Sequence, residues 1–282
     1  MNSMTISTKD IAELRARTGA GMMDCKKALE EANGDMALAG EILRKKGIAK
    51  AEKRAGRDAS QGLVIIESVS DKGAMIELNC ETDFVARTDG FQVLARRLAM
   101  HALTNSPIGV TLEAFVQESL DGKSIEQLIQ ETSGTTGEAM TLKRVAKFGQ
   151  PAGAVGAYRH HNSQVGVLVE ITGAADDAAV VLANEIALHI ASADPIAVNA
   201  SDISADTIAR ERRIAEEQVA QEGKPEAIRA KIVEGKIKKF ASERALVEQP
   251  FVKDESVTIG QMIATVPGAA VTRFARFKVG EV

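Results

Sequence analysis

Two segments of this chain, residues 62–103 and 153–191, share one order of predicted elements, a β-hairpin followed by a helix. In the first segment, alternating apolar runs predict strands over Leu63–Val69 and Ala74–Cys80, and a helical period follows over Phe91–Leu103. A chain built in this way must cover each hairpin with its own helix. The pattern therefore predicts an α+β fold.

The second segment repeats the pattern, with strands predicted over 154–158 and 165–172 and a helix over 178–191. The two helices match in register, since the residues Leu94, Ala95, Ala99 and His101 recur as Leu182, Ala183, Ala187 and His189. Two copies are too few for a solenoid. We therefore expect two related subdomains packed together, the first over residues 56–145 and the second over residues 146–203 with 245–282.

A separate helical head is predicted before this duplicated core. Residues 8–46 read as three short helices, with Thr8 as the first cap and Gly47 as the stop after the third. A domain of this size has a small core. We assign residues 1–55 to this head and its linker.

A helical hairpin is predicted over residues 204–244. Two charged helical stretches flank Glu222-Gly223-Lys224-Pro225, which is a strong helix breaker. The apolar residues expected to face one another are Ile208, Ile214 and Val219 on one side and Ile228, Ile232 and Ile237 on the other. We expect this hairpin to protrude from the core.

Charge is distributed unevenly. The chain has a net charge of −4, which gives no general attraction to nucleic acid. Residues 1–60 nevertheless hold 12 Lys and Arg against 9 Asp and Glu. A mildly basic head suits docking to an acidic protein surface, although small helical domains are often slightly basic without such a role.

No motif for catalysis, a metal or a cofactor is found. Gly122-Lys123-Ser124 ends like a phosphate loop, but Gln117 stands where the loop needs glycine. Cys25 and Cys80 are far apart and show no zinc spacing. His101 and His189 are interpreted as structural, and His160-His161 as an exposed turn. We expect neither a cofactor nor a metal.

The expected location is the cytoplasm. Two unpaired thiols fit a reducing compartment. The N-terminal segment Met1–Lys9 lacks the pattern of a signal peptide. The longest apolar region, residues 178–193, is interrupted by Asn184, Glu185 and His189, which argues against a membrane span.

Three segments together resemble the bacterial elongation factor Ts family. They are Leu14–Leu29, Asn79–Arg87 and Arg276–Glu281. The resemblance implies a ubiquitin-associated-like head, a two-subdomain core and a coiled-coil hairpin, with no enzymatic activity. It implies binding to the GDP form of the GTPase elongation factor Tu, disturbance of its magnesium and phosphate contacts, and release of GDP until GTP displaces the factor.

The resemblance also implies contact residues. Matched by position, the head would touch the GTPase through Arg15, Met22, Met23 and Lys26. The segment that dislodges magnesium would be Thr82, Asp83, Phe84 and Val85. We expect it in the connection between the strand ending at Cys80 and the helix beginning near Phe91, with the Phe84 ring exposed. His160 matches a contact in the second subdomain, with the adjacent His161 as the alternative.

Structural roles compete with these assignments. Burial statistics favour a core position for Phe84, and adjacent Met22 and Met23 point about 100° apart on a helix, so at least one is expected in the core. Two other classes of function stay open at this point. The head alone is compatible with a scaffold or ubiquitin-type docking protein, and His160 with His161 is compatible with an enzyme.

Overall fold

The computed structural model describes residues 6–54, 56–222 and 225–281. The first five residues of the N-terminal segment, and Gly223 and Lys224 of the expected breaker, lie outside the described residues. The mixed α+β class is confirmed. None of the described helices combines the length and the apolar character needed to cross a membrane.

The head consists of helices α1 (Thr8–Thr18), α2 (Met22–Glu31) and α3 (Met36–Glu52). Their buried apolar residues form a separate cluster that includes Leu14 and Leu29. The prediction that Thr8 caps the first helix was wrong, because Ser7 is the N-cap residue. The Ser7 hydroxyl accepts from the Asp10 amide at 3.1 Å, and the Asp10 carboxylate accepts from the Ser7 amide, which forms a capping box.

The first subdomain holds an antiparallel sheet in the order β1-β2-β5. Its strands are β1 (Gln61–Val69), β2 (Lys72–Cys80) and β5 (Met140–Gly149). Between β2 and β5 lie the following elements: α4 (Asp83–Ala86), α5 (Asp89–Thr104), α6 (Leu112–Gln117), a small ribbon of β3 (Ser119–Leu120) and β4 (Lys123–Ser124), and α7 (Ile125–Thr136). Helix α5 covers one face of the sheet and completes its core.

The second subdomain has an antiparallel sheet in the order β6-β7-β10. Its elements are β6 (Gly153–Arg159), β7 (Val165–Thr172), α8 (Asp177–Ala193), the ribbon of β8 (Pro250–Phe251) and β9 (Asp254–Thr258), α11 (Ile259–Ala264) and β10 (Ala270–Lys278). The helical hairpin, α9 (Ala205–Gln221) and α10 (Glu226–Arg244), stands between α8 and β8. Helix α8 packs on this sheet as α5 packs on the first.

Two equivalent arginines, each ion-paired within its own sheet, contact a phenylalanine ring of the other half. Arg144 of β5 donates to Glu77 of β2 at 2.6 Å, and its guanidinium lies 4.6 Å from the ring centre of Phe277 in the other sheet. The same arrangement recurs in the opposite direction with Arg273, Glu170 and Phe148. The two sheets therefore meet through reciprocal contacts, as two copies related by a two-fold axis would.

The two repeated histidines are structural, as expected. His101 and His189 are both buried, and their Nε2 atoms lie 2.9 Å from Glu118 and from Gln249 respectively. Burial lowers the pKa of His189, and the bond to Gln249 opposes that shift. Each ring therefore contributes to the core of its subdomain.

Helix α3 does not end at Gly47, so that prediction was wrong. It continues to Glu52, and Gly47 lies at a close crossing with α7. A Cβ on Gly134 of α7 would lie 2.6 Å from the Gly47 backbone, so the glycine that this close approach requires is Gly134.

The predicted packing of the helical hairpin was partly wrong. Ile214 and Ile228 are exposed, and Ala215 and Val233 occupy the buried seam with Val219 and Ile237. Ile208, Ala215 and Val219 fall on one helical stripe, whereas Ile214 lies about 100° from Ala215.

Candidate protein-binding surfaces

The residues Thr82–Ala86 form a single helical turn after β2, which we call the Phe84 turn. The turn lies in the expected connection between β2 and α5, and this part of the connection is helical. Thr82 adopts an extended N-cap conformation, and its hydroxyl accepts from the Val85 amide at 3.4 Å. The cap closes the turn and fixes the direction of the side chains that follow.

Glu138 holds the start of the Phe84 turn. Its carboxylate accepts from the Thr82 amide at 3.0 Å and from the Thr82 hydroxyl at 2.6 Å. Next to it, the Ala139 amide donates to Glu81 at 2.7 Å, and this bond lowers the pKa of the Glu81 carboxyl, with a further contribution from Arg57. The turn is thus tied to the beginning of β5 by charge-assisted bonds. No sequence pattern had indicated Glu138.

The side chains of the turn divide between core and solvent. Val85 and Ala86 are buried in the core of the first subdomain. Phe84 is 78% exposed, so the core position that burial statistics favoured for it was wrong. Asp83 is partly exposed and pairs with Arg87 at 2.7 Å. Of the four residues assigned to this contact, Phe84 and Asp83 face outward, and Val85 anchors the turn.

If the chain releases GDP from elongation factor Tu, as the sequence resemblance implies, replacing Glu138 with glutamine is expected to lower that activity. The amide can accept only one of the two bonds from Thr82, and a charged hydrogen bond is worth about 1.5–3 kcal/mol. The rate of GDP release at saturating factor should fall about tenfold, since 1.4 kcal/mol is a factor of about ten. Glu113→Gln, at an exposed site on α6, is the matched control. Equal rates for the two variants would show that Glu138 does not position the turn.

Cys80 lies beneath the turn. It is fully buried, and its thiol donates to the Thr82 carbonyl at 3.1 Å. Burial raises the pKa of this thiol to about 12, and the negative charge of Glu138 adds to the shift. The thiol is therefore protonated at neutral pH and serves as a hydrogen-bond donor.

The Cys80 thiol should make folding stability depend on alkaline pH. Its folded pKa of about 12 exceeds the ordinary thiol pKa of 9.0, so its contribution to folding stability is complete below pH 9 and is lost between pH 9 and about 12. Between pH 8 and pH 10 the wild type should lose about 1.4 kcal/mol more unfolding free energy than Cys80→Ala. Urea unfolding at the two pH values measures this. Parallel losses in both proteins would contradict the raised pKa.

The head presents both methionines to solvent. Met22 is 57% and Met23 is 63% exposed, so the expectation that at least one belongs to the core was wrong. The buried face of α2 is supplied instead by Cys25, Ala28 and Leu29.

The two basic residues assigned to the head are accessible as well. Arg15 is exposed on α1, and Lys26 is exposed on α2, 3.8 Å from the Glu30 carboxylate. The head therefore offers polarizable apolar side chains next to basic ones, a combination suited to protein recognition.

His160 and His161 differ in their surroundings. His160 is half-buried, and its Nδ1 lies 3.0 Å from the Tyr158 hydroxyl, whereas His161 is exposed. Their ring centres are 4.3 Å apart. The turn that carries them contacts the first subdomain, because the Ser163 carbonyl accepts from the Val64 amide at 2.7 Å.

The three groups of assigned residues are separate patches. Among the described residues, no hydrogen bond or ion pair joins the head residues, the Phe84 turn and His160 to one another. The same part of the chain contains no cluster of three or more His, Cys, Asp or Glu side chains that could hold a metal. Phe and Met side chains are enriched at protein interfaces relative to the rest of the surface.

These features define an α+β protein with several exposed surface patches that are candidates for protein binding. A family model described as elongation factor TS matches residues 81–281, which include the Phe84 turn, His160 and the helical hairpin. The chain belongs to the elongation factor Ts family. The match starts after the head. The assignment of contact residues in the head therefore depends on the sequence and the structure alone. Membership implies a role in translation as a nucleotide exchange factor for elongation factor Tu, and not as a catalyst of a chemical reaction.

Proposed function

We propose that this chain releases GDP from elongation factor Tu by inserting Phe84 near the magnesium site of the GTPase. The observation that carries the proposal is the 78% exposure of Phe84 on a turn that Thr82 and Glu138 hold in place. A rigid aromatic side chain loses little conformational entropy on binding. Its contact energy is therefore available to open the partner.

The magnesium and phosphate contacts of the GTPase are the proposed target. Phe84 presses between helices of the partner, and Asp83 makes a polar contact beside it. Asp83 is paired with Arg87 on an exposed surface, where an ion pair contributes little and is readily exchanged. The displaced magnesium no longer offsets the charge of the GDP phosphates, so GDP leaves.

The other patches supply affinity in this proposal. Arg15, Met22, Met23 and Lys26 dock the ubiquitin-associated-like head on the GTPase. His160 provides a contact from the second subdomain, and the coiled-coil helical hairpin provides an accessory one. The domain boundaries given above belong to the same proposal, and β5 runs across the boundary placed at residue 145. The proposed compartment is the cytoplasm, where translation takes place, and no cofactor takes part.

Reciprocal coupling gives a direct test of this mechanism. A factor that weakens GDP binding must itself bind less tightly when GDP is present. We expect the affinity for nucleotide-free elongation factor Tu to exceed the affinity for its GDP complex by at least about tenfold, which corresponds to a coupling free energy of about 1.4 kcal/mol. Calorimetric titration of both forms measures this ratio. Equal affinities would contradict the proposal, because such a factor could not shift the nucleotide equilibrium.

A further inference from the structure

The head is docked on the first subdomain through a crossing of α3 and α7. An added Cβ on Gly134 would lie 2.6 Å from both the Cα and the carbonyl carbon of Gly47. A second close contact lies nearby, because a Cβ on Gly19 would approach Thr135 Cγ2 at 2.8 Å. Backbones can approach this closely only where a side chain is absent.

One ion pair reinforces this crossing. The Glu131 carboxylate on α7 lies 3.8 Å from Arg44 Nε of α3, and Lys123 Nζ of β4, on the α7 side of the crossing, lies 2.5 Å from the same carboxylate. Ala51, near the end of α3, is buried as well and lines a cavity together with Ile129 and Ser133. The contact thus extends along the C-terminal half of α3, up to the linker before β1.

An open cleft limits the extent of the contact. It has a volume of about 310 Å³ and lies between the head and α7, lined by charged side chains that include Arg17, Lys27 and Lys50. The tight part of the interface is therefore the glycine crossing and its neighbours. A single added methyl group on Gly134 meets backbone atoms, which cannot move aside as a flexible side chain can.

We infer that this crossing fixes the head surface and the Phe84 turn at one separation and orientation, so that both engage the GTPase as a single preorganised unit. Gly134 and Glu131 are the positioning residues. The inference rests on the proposed function, in which both surfaces contact the same partner. Preorganisation increases affinity because less freedom is lost on binding, and a tethered but undocked head would act only through its effective concentration.

Gly134→Ala is the test variant, and the chain offers two matched controls. Gly47→Ala would place its Cβ 3.6 Å from the Gly134 Cα, an ordinary contact, and Gly40→Ala on the same helix would meet nothing within 4 Å. All three changes raise helix propensity by about 1 kcal/mol. A difference between them therefore reports on the crossing.

We expect Gly134→Ala to raise the factor concentration needed for half-maximal GDP release by about ten- to a hundredfold. The maximal rate at saturation should stay close to wild type, because the Phe84 turn is untouched. Both control variants should behave as wild type. An equal effect of Gly47→Ala, or a fall in the maximal rate with an unchanged half-maximal concentration, would overturn the inference.

Small-angle X-ray scattering of the free chain gives a readout that needs no GTPase. Gly134→Ala should increase the maximum dimension, whereas Gly47→Ala should leave it unchanged. The inference would be overturned if Gly134→Ala kept the wild-type maximum dimension. It would also be overturned if Gly134→Ala expanded but reached half-maximal GDP release at the wild-type concentration. If the wild type itself fails to stimulate release, the proposed function falls, and the scattering comparison alone decides whether the crossing holds the head.

Glu131→Gln provides a second variant in case Gly134→Ala does not fold. It removes the charge shared by Lys123 and Arg44 and adds no volume. We expect the factor concentration for half-maximal GDP release to rise a few fold. We expect the maximum dimension from scattering to increase less than it does for Gly134→Ala. No change in either measurement would count against the docking role of this crossing.

Discussion

Replacing Phe84 with alanine is expected to slow factor-stimulated GDP release by about one to three orders of magnitude. Truncating an aromatic anchor at an interface costs about 2–4 kcal/mol, and 1.4 kcal/mol is a factor of about ten. The maximal rate of GDP release should decrease if this contact is made mainly as the nucleotide site opens. Stopped-flow release of a fluorescent GDP from elongation factor Tu measures it.

The exposure of Phe84 supplies the control for this experiment. Because the ring is exposed in the free chain, thermal unfolding of Phe84→Ala should match wild type. Val181→Ala truncates another apolar side chain, 62% exposed on α8, and should leave release unchanged. Near-normal release by a folded Phe84→Ala would exclude the insertion mechanism, and a large loss of melting temperature would return Phe84 to a packing role.

Replacing Met22 and Met23 together with alanine is expected to weaken docking. Both side chains are exposed, so the fold of the head should be retained. A loss of about 1.4–3 kcal/mol of contact energy corresponds to about a ten- to hundredfold rise in the half-maximal concentration. The maximal rate should stay unchanged, because the Phe84 turn still acts once bound.

Titration of the double variant in the GDP release assay checks this expectation. Ile214→Ala, on the exposed side of the helical hairpin, is a control of similar chemistry. A variant that saturates at the wild-type concentration but reaches a lower plateau would place the methionines in the exchange step and not in docking.

The duplicated elements could be predicted from the sequence because their signals are long and regular. The strands around Leu63–Val69 and Val165–Thr172 alternate or run apolar for seven or eight residues, and the following helices share a matching register. Residues 104–145 gave no such signal. Helix α6 and the β3-β4 ribbon are short, and the residue patterns around them and α7 are mixed.

The position of a side chain at the surface was harder to predict than the element that carries it. Phe84, Val85 and Ala86 form one apolar run in the sequence, yet the turn directs Phe84 to solvent and the other two into the core. Gly47 looked like a helix stop because its partner, Gly134, is distant in sequence. Glu138 gave no signal, since its role arises only when β5 brings it beside Thr82.

The most direct measurement is the rate of fluorescent GDP release from elongation factor Tu at increasing concentrations of this chain. We predict that the rate rises with concentration to a plateau well above the spontaneous rate, and that excess GTP then displaces the chain from the complex. A release rate that stays at the spontaneous value, at concentrations where calorimetry shows the complex to be formed, would contradict the proposed exchange function.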